Sequence, residues 1–305
     1  MAEIILHQYP QSPFAEKVRL MLGFKGLPWR AVDIPRWMPK PDLLPLTGGY
    51  RKTPVMQIGA DIYCDSACIA KELDRRFPSI PLFPEGTAGL ARTLGAWIDS
   101  VLFFDVVGVV FGTHGDAAPK ELKEDRLKFS GGMIDIARYK DDQAHLRAQT
   151  RAHLFWLEHT LDDGRLYLLG PKPTYADFCA YGPVWMLVNR VPELGFLADT
   201  PRLRGWVERM AAVGHGMFRS MDAKEALSVA HAAQPGEPMM EHPESPVGLE
   251  RGTRVAVSAD DYGKDPVEGY RIGLNSQRLI TRRGDPAVGE VNVHFPRPGF
   301  RIVPA

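Results

Sequence analysis

The sequence predicts an α/β domain at residues 1–80, an all-helical domain at residues 86–232 and a small β-rich module at residues 247–305. In the first region, short apolar strands alternate with helices, and a hairpin leads into a last helix. The second region carries apolar residues at helical spacing over long stretches. The third returns to short strand-like runs, after a linker with prolines at positions 235, 238, 243 and 246.

The elements of the first domain follow from periodicity and from turn residues. Their order is strand, helix, strand, irregular segment, hairpin and helix, with predicted bounds 3–8, 14–26, 29–34, 55–58 with 62–64, and 66–77. A three-residue connection, Gly59–Asp61, joins the two hairpin strands. A βαβ unit joined to a ββα unit predicts one mixed sheet with helices packed against it.

The second domain begins with a long helix. Its spacing assigns the buried stripe to Leu90, Leu94, Trp97, Val101 and Phe104. A second long helical stretch is broken or kinked around residues 130–140. Thr174 and Asp177 form a capping box that starts another helix, and helices near 199–213 and 221–232 complete the domain.

The C-terminal module contains four strand-like runs, at 254–258, 270–274, 278–282 and 288–295. A domain of about 60 residues has only a marginal core of its own. We therefore expect the module to pack on the helical domain. Because a linker precedes it, we also expect it to be dispensable for ligand binding by the first domain.

Composition excludes several classes of partner. The chain has 305 residues, of which 45% are hydrophobic and 24% charged, as in ordinary globular proteins. Lys+Arg and Asp+Glu both number 37, so net charge gives no reason to expect nucleic acid or an anionic membrane as partner. The cysteines, Cys64, Cys68 and Cys179, form neither a disulfide framework nor a zinc motif. We expect no metal and a reducing compartment.

Two apolar stretches bear on localisation. The N-terminal MAEIILHQYP carries an acidic residue early and runs directly into a strand, which argues against a signal peptide. The most apolar later segment, SVLFFDVVGVVFG, is interrupted by Asp105 and is too short to span a bilayer. The expectation is a soluble cytoplasmic protein that does not engage membranes.

Ser12 and Pro13 stand where the first strand gives way to the first helix. Ser is a favoured N-cap and Pro is tolerated at the first helical position, so capping alone explains the pair. The same position has a chemical use, because a hydroxyl at a helix N-terminus stabilises a neighbouring anion such as a thiolate. The sequence leaves both readings open.

Two further pairs have a capping or strand-start interpretation beside a functional one. Thr53-Pro54 precedes a strand, and a cis bond there would turn the backbone of Thr53 or Val55 towards a ligand, whereas a trans bond would be an ordinary strand start. Asp65-Ser66 opens a helix. The free N–H groups and the Ser66 hydroxyl suit a ligand carboxylate, and Asp65 suits an ammonium. An amino acid carries both groups on one carbon.

Taken together, these motifs resemble the glutathione transferase superfamily, whose N-terminal domain is thioredoxin-like. S-P-F-A-E-K-V-R-L resembles the family's [Ser or Cys]-P-x-x-x-K-V-R helix opening, and R-K-T-P-V resembles its x-x-P-V loop with a cis-proline. D-S-A-C-I resembles its [Glu or Asp]-Ser-x-x-Ile motif, and P-T-Y-A-D-F-C-A-Y resembles the capping-box helix of its all-α domain. The resemblance covers residues 1 to about 232. The proline-rich residues 36–45 and the C-terminal module fall outside it.

The resemblance implies roles for particular residues. It makes Ser12 the catalytic hydroxyl, with Tyr9 as its rival, and glutathione the co-substrate. Backbone contacts to glutathione are implied at Pro54 and Val55, contacts to its γ-glutamyl group at Asp65 and Ser66, and contact to its glycyl carboxylate at Lys52. A small apolar electrophile would lie against the second domain, near Tyr9, Trp37, Phe104 and Phe111. The resemblance also implies a homodimer and a role in detoxification, by conjugation or reduction.

A second hypothesis is a binding or scaffold protein that keeps the fold without turnover, because fold does not imply function. The C-terminal module motivates it. Residues 235–305 contain nine Lys/Arg and ten Asp/Glu, a balance that favours protein contact or self-association over nucleic acid.

Overall fold

The computed structural model describes residues 3–238 and 248–305. Residues 234–238, the first part of the predicted linker, have no regular secondary structure. Pro243, Pro246 and residue 247, where the module is predicted to begin, lie outside the described residues.

The first domain has the predicted order of elements. They are β1 (Ile5–Gln8), α1 (Pro13–Phe24), β2 (Trp29–Asp33), the short α2 (Leu44–Thr47), β3 (Val55–Ile58), β4 (Asp61–Cys64) and α3 (Ser66–Arg76). Strand β1 lies between β2, which is parallel to it, and β3, which is antiparallel. The hairpin connection is one residue shorter than predicted, because Asp61 already pairs with Ile58. Gly59 makes this tight turn with φ +61°, in the region that favours glycine.

The second domain is helical, as predicted, apart from a short strand at residues 218–220. It consists of α4 (Ala88–Trp97), α5 (Phe103–His114), α6 (Lys120–Phe129), α7 (Gln143–Thr160), α8 (Tyr175–Arg190), α9 (Pro201–Val213) and α10 (Ala223–Ala232). A π-helical turn, Ile98–Leu102, joins α4 to α5. The predicted break falls between α6 and α7. The capping box at the start of α8 is confirmed, since the Thr174 N–H donates to Asp177 Oδ2 at 2.8 Å.

The stripe predicted for the long helix is wrong by about one position. The fully buried residues are Ala91, Gly95, Ile98, Leu102 and Val106. Of the predicted stripe, Leu90 is 62% exposed and Val101 38% exposed, whereas Leu94, Trp97 and Phe104 are half-buried against the core. The helix is apolar on two faces, and periodicity alone does not say which of them meets α8. Gly95 decides it, because a Cβ there would lie 2.8 Å from the ring of Tyr175. The second apolar face is half-buried, and its residues Leu90 and Val101 are exposed.

One helical stretch, Ala88–Ala117, is long and apolar enough to cross a membrane by length and composition alone. Half of its most apolar window is buried inside the protein. Asp99 and Asp105 on this stretch pair with Lys17 of α1 and His153 of α7. Core helices of globular proteins pass the same test, and these contacts describe a core helix.

The C-terminal strands are β6 (Arg254–Ala259), β7 (Val267–Leu274), β8 (Arg278–Asp285), β9 (Gly289–Pro296) and β10 (Phe300–Pro304). The sequence did not predict β10, nor the short β5 (Phe218–Ser220), which pairs with β2. Within the described residues the strands form one ten-stranded sheet, in the order β10-β6-β7-β8-β9-β4-β3-β1-β2-β5.

The expectation that the module packs on the helical domain is therefore wrong in its main contact. Strand β9 pairs in parallel with β4, in the register Ile62 opposite Val293. The physical reason is that β4 is buried on both faces and would otherwise leave a row of unpaired backbone groups at a sheet edge. Val293 and Phe295 then share one apolar core with Ile62 and Cys64.

A buried polar cluster closes the seam between β4 and β9. Asp61 accepts hydrogen bonds from the Gly236 N–H at 3.0 Å and from Asn292 Nδ2 at 3.0 Å, and its Oδ1 lies 2.8 Å from His294 Nε2. The His294 ring stacks on Tyr63 with 4.4 Å between ring centroids. Asp61 is thus the shared acceptor that fixes the C-terminal strands to the N-terminal ones.

Candidate functional site

A cavity of about 210 Å³ lies at the N-terminal ends of α1 and α3, between the first domain and the helical domain. It brings together seven of the residues singled out from the sequence: Tyr9, Ser12, Lys52, Pro54, Asp65, Ser66 and Phe111. Its apolar wall comes mainly from the second domain, with Phe103, Val107, Phe129, Ile134 and Met186. One half of the cavity is polar and belongs to the sheet domain, and the other half is apolar.

Three candidates are not among the described residues that line this cavity. Val55 is fully buried in β3, so only its backbone is available at the site. Trp37 lies on the segment after β2 and does not reach the cavity wall. Phe104 lies behind the wall, with its ring 5.8 Å from that of Tyr262, which does line the cavity.

Ser12 is the N-cap of α1, as the sequence predicts. Its Oγ accepts a hydrogen bond from the Ala15 N–H at 3.1 Å, and Pro13 occupies the first helical position. Only 2% of Ser12 is exposed, and that fraction faces the cavity. Because the cap uses the oxygen as an acceptor, the hydroxyl proton remains available to a group in the cavity.

Tyr9 precedes Ser12 on the same loop, and its hydroxyl is engaged from the helical domain. Arg126 Nη2 donates to Tyr9 Oη at 3.3 Å and to the carbonyl of Arg36 at 2.8 Å. The guanidinium of Arg126 also pairs with Asp125 at 2.7 Å. Tyr9 therefore lies at the junction of the two domains, whereas Ser12 lies at a helix start.

The Thr53–Pro54 peptide bond is cis, as the sequence predicts. The loop that carries it is held by Lys40, whose Nζ donates to the Arg51 carbonyl at 3.0 Å and to Thr53 Oγ1 at 3.3 Å. Burial lowers the pKa of Lys40 to about 7, and the charges of Arg126 and Arg51 act in the same direction. Nothing in the proline-rich segment indicates that Lys40 is buried at the site.

Asp65 caps α3, with its Oδ1 accepting from the Ala67 N–H at 2.8 Å. Among the residues that the structure describes, it is the one non-glycine residue with a positive φ, +77°. Such a conformation costs on the order of 1–3 kcal/mol and is concentrated at functional sites. Burial raises the pKa of Asp65, while the Ala67 N–H and Lys52 favour its ionised form. Ser66 follows at the first helical position, beside the free N–H groups of α3.

Sequence reasoning missed two charged residues from the helical domain. Asp99 lines the cavity from the π-helical turn and pairs with the buried Lys17 at 2.6 Å. Arg126 reaches it from α6. A carboxylate inside the apolar run AWIDSVLFF was a usable signal for Asp99. Arg126 lies in a charged helix, where nothing in the sequence distinguishes it.

The C-terminal module also contributes to the cavity, through Asp261 and Tyr262. Asp261 Oδ1 lies 2.6 Å from Lys52 Nζ, and the same ammonium lies 4.0 Å from the centroid of the Tyr262 ring. These residues belong to the turn between β6 and β7, for which the sequence predicts no role. Their position depends on the β4–β9 pairing, which no local signal encodes.

The charges suit a small zwitterionic peptide. Arg36, Arg51, Lys52 and Arg126 present cations, Lys40 adds an amine whose pKa is lowered to about 7, and Asp65, Asp99 and Asp261 present carboxylates. The helix starts at Ser12 and Ser66 add positive potential in the same cavity. Within the described ranges 3–238 and 248–305, no group of three or more His, Cys, Asp or Glu side chains is placed to hold a metal ion.

Two family models match the chain. The model of the glutathione S-transferase N-terminal domain matches residues 6–81, and that of the glutathione S-transferase C-terminal domain matches residues 124–209. The first match contains Tyr9, Ser12, Lys52 and Asp65, and the second contains Arg126 and the capping box.

Among solved structures, a GST-like protein from Pseudomonas syringae is 39% identical, with all of both chains covered and a TM-score of 0.84. The C-terminal strands are thus shared with that relative. FtsZ-localized protein A of Caulobacter vibrioides is 27% identical over 183 residues, which are 58% of this chain and 74% of that protein. A glutathione S-transferase from Methylobacterium radiotolerans, 24% identical with a TM-score of 0.54 over 72% of this chain and 97% of that one, shares the fold.

Proposed function

The chain belongs to the glutathione transferase superfamily, and from that premise we propose that it binds glutathione in this cavity and uses the thiolate to conjugate or reduce a small electrophile. The observation that carries the proposal is Ser12, which caps α1 through its oxygen and keeps its proton for a group in the cavity. A thiol attacks as the thiolate, so a hydroxyl donor at a helix N-terminus lowers the barrier by stabilising that anion.

The polar half of the cavity holds the peptide in this proposal. Asp65 receives the γ-glutamyl ammonium, and Ser66 with the start of α3 receives the neighbouring carboxylate. Lys52 receives the glycyl carboxylate. The backbone of Val55, after the cis Pro54, supplies a further contact to the peptide.

The apolar half holds the electrophile. Phe111 lines it together with Phe103 and Met186, and Tyr9 with Arg126 forms its polar edge. Phe104 acts from behind the wall, by packing on the Tyr262 ring. We assign Trp37 no contact with the electrophile, because it is not among the described residues that line the cavity.

The test is turnover with glutathione and a generic aryl halide, 1-chloro-2,4-dinitrobenzene, as a function of pH. We expect Ser12→Ala to lower turnover roughly 10- to 1,000-fold, the range for losing one positioned donor. The lost cap should lower the free energy of unfolding by only about 0.5–2 kcal/mol. The control is Tyr9→Phe, which keeps the ring. If Ser12→Ala keeps the wild-type rate and pH profile while Tyr9→Phe is inactive, Tyr9 holds the thiolate.

A second candidate function is a binding or scaffold protein without turnover. Two observations favour it: the similarity to FtsZ-localized protein A, which is named for where it localises, and the additional C-terminal strands. Retention on immobilised glutathione without turnover of the aryl halide, at any pH between 6 and 9 (a range chosen to span thiol ionisation), would favour this candidate.

We further propose that the protein is a cytoplasmic homodimer. The exposed apolar face of the long helix, with Leu90 and Val101, lies next to the exposed Trp156 of α7 and supports an interface there. The three buried, unpaired thiols are compatible with a reducing compartment. Leu90→Glu should convert the dimer to a monomer in sedimentation equilibrium, and an unchanged mass would contradict this interface.

A further inference from the structure

The turn Asp260–Gly263, which joins β6 to β7, reaches from the C-terminal module into the cavity. Asp261 holds Lys52 at 2.6 Å, and Tyr262 packs edge-on against Phe104 and Phe129, with 5.8 and 5.4 Å between ring centroids. The Gly263 N–H donates to the Phe129 carbonyl at 3.0 Å. A Cβ at Gly263 would lie 2.2 Å from the Phe129 ring, so this close approach requires glycine.

The pairing matters because Lys52 is the cation assigned to the glycyl carboxylate. Its side chain is 13% exposed, while that of Asp261 is 49% exposed. The Lys52 ammonium that a ligand carboxylate would bind is thus already paired with a carboxylate of the protein. Because half of the Asp261 side chain is already in contact with water, its carboxylate loses little on leaving Lys52, and a ligand carboxylate is able to displace it.

We propose that Asp261 is a specificity-determining residue of the glutathione site, which competes with the glycyl carboxylate of the ligand for Lys52. This inference rests on the proposed binding of glutathione and adds to it a role for the C-terminal module. By neutralising Lys52, Asp261 lowers the advantage of a ligand that carries a negative charge at that end. The module thereby sets how strongly the site requires the glycyl carboxylate.

The opposite role makes the opposite prediction. If Asp261 only orients Lys52 towards the ligand, then removing its charge weakens glutathione binding. If it competes, removing its charge strengthens binding, and the gain is confined to ligands with a free glycyl carboxylate. The sign of the change and its dependence on the ligand therefore decide between competition and orientation.

The experiment measures the affinity of the full chain for two ligands by calorimetry. The ligands are glutathione and its glycyl ethyl ester, in which an uncharged ethyl ester replaces the glycyl carboxylate. The variant is Asp261→Asn, which keeps the shape of the side chain. The matched control is Asp260→Asn, which removes one charge from an exposed residue of the same turn, whose backbone N–H donates to the Gly299 carbonyl.

We expect Asp261→Asn to bind glutathione about 2- to 5-fold more tightly, the gain for freeing one exposed ion pair. Its affinity for the ester, and the affinity of Asp260→Asn for either ligand, should stay at the wild-type value. Weaker or unchanged binding of glutathione by Asp261→Asn, or an equal gain for the ester, would overturn the inference and leave the proposed function standing. Absence of glutathione binding in the wild type and in both variants would overturn the inference and the proposed function together.

Discussion

Strands β1–β4 and strands β6–β10 share one sheet but are ordered by different means. The first four are joined by α1, by a proline-rich loop and by a two-residue turn, and their loops carry Ser12, Pro54 and Asp65. The last five form an antiparallel array with β10 folded back on β6. The two sets meet where Asp61 and Asn292, 231 residues apart, share a hydrogen bond.

The difference separates local from long-range determinants. Caps, turns and the strand–helix alternation act within a few residues, and they place most of the polar half of the site. The parallel pairing of β4 with β9 depends on which edge is open and apolar once the first domain has formed. This one pairing also delivers Asp261 to Lys52. The module is therefore joined to the first domain through the sheet, and its turn at Tyr262 and Gly263 also packs on Phe129 of the helical domain.

The largest expected effect comes from removing the C-terminal strands, which tests whether the first two domains are ordered without them. We expect a chain that ends at Gln234 to aggregate, because β4 would expose an apolar strand edge and the core residues that cover Val293 and Phe295. This replaces the expectation that the module is dispensable. Analytical size exclusion tests it.

The control for this prediction is the full chain with a protease site inserted within residues 239–247 and then cleaved. The nicked protein keeps the β4–β9 pairing and should elute as one soluble species. A soluble, glutathione-binding chain ending at Gln234 would show that the first two domains are ordered without the module.

A smaller disturbance of the same seam is Asp61→Ala. It leaves His294, Asn292 and the Gly236 N–H without their common acceptor, and each buried donor left without a partner costs about 1–3 kcal/mol. Urea unfolding measures the change. The control is Glu290→Ala on β9, an exposed carboxylate 3.7 Å from Arg282, which should cost less than about 1 kcal/mol. Equal, small losses in both variants would mean that the seam contributes little.

The residues between β4 and β9 show which parts of the structure local sequence signals predict and which they do not. Strands β1, β3 and β4 were predictable from their short apolar runs and turn residues, and helix α1 from its periodicity and its Ser12 cap. Asp61 was predicted as a turn residue, and nothing within several residues of it indicates His294 or Asn292 as a partner. The buried stripe of the long helix failed for a related reason, since two apolar faces compete and only the contact of Gly95 with Tyr175 selects one. Long-range choices of this kind depend on packing between distant segments.

The polar half of the site allows a comparison between two helix caps that make the same hydrogen bond, although φ is +77° at Asp65 and −69° at Asp222. Asp65 accepts from the Ala67 N–H at 2.8 Å, and Asp222 caps α10 by accepting from the Lys224 N–H at 2.8 Å, away from the cavity. Replacing either by Ala should cost about 0.5–2 kcal/mol of stability. Asp65→Ala alone should also weaken glutathione binding by about 1–3 kcal/mol, the scale for losing one charged hydrogen-bond partner. Unchanged affinity in a folded Asp65→Ala protein would remove Asp65 from the binding site.

The smallest expected effect compares two buried histidines, His7 on β1 and His294 on β9. Burial lowers the pKa of His7 to about 4, and the hydrogen bond with Gln57, at 2.8 Å, opposes that shift only in part. Burial also lowers the pKa of His294, but there the carboxylate of Asp61 favours the protonated ring. The N-terminal histidine is therefore the more costly one to protonate in the native state.

The sign of the pH dependence follows from proton binding. Between pH 6.5 and pH 4 the unfolded chain protonates His7 and the native state does not, so the free energy of unfolding falls as the pH falls. The loss from His7 between pH 6.5 and 5.5 is about 1 kcal/mol, because one full pKa unit corresponds to about 1.4 kcal/mol. His7→Gln, which keeps a polar group opposite Gln57, should remove that part of the slope in urea unfolding at the two pH values. His294→Gln should remove less of it. If the two variants flatten the slope equally, or His294→Gln flattens it more, then Asp61 does not compensate the burial of His294, and the two halves of the sheet respond to acid alike.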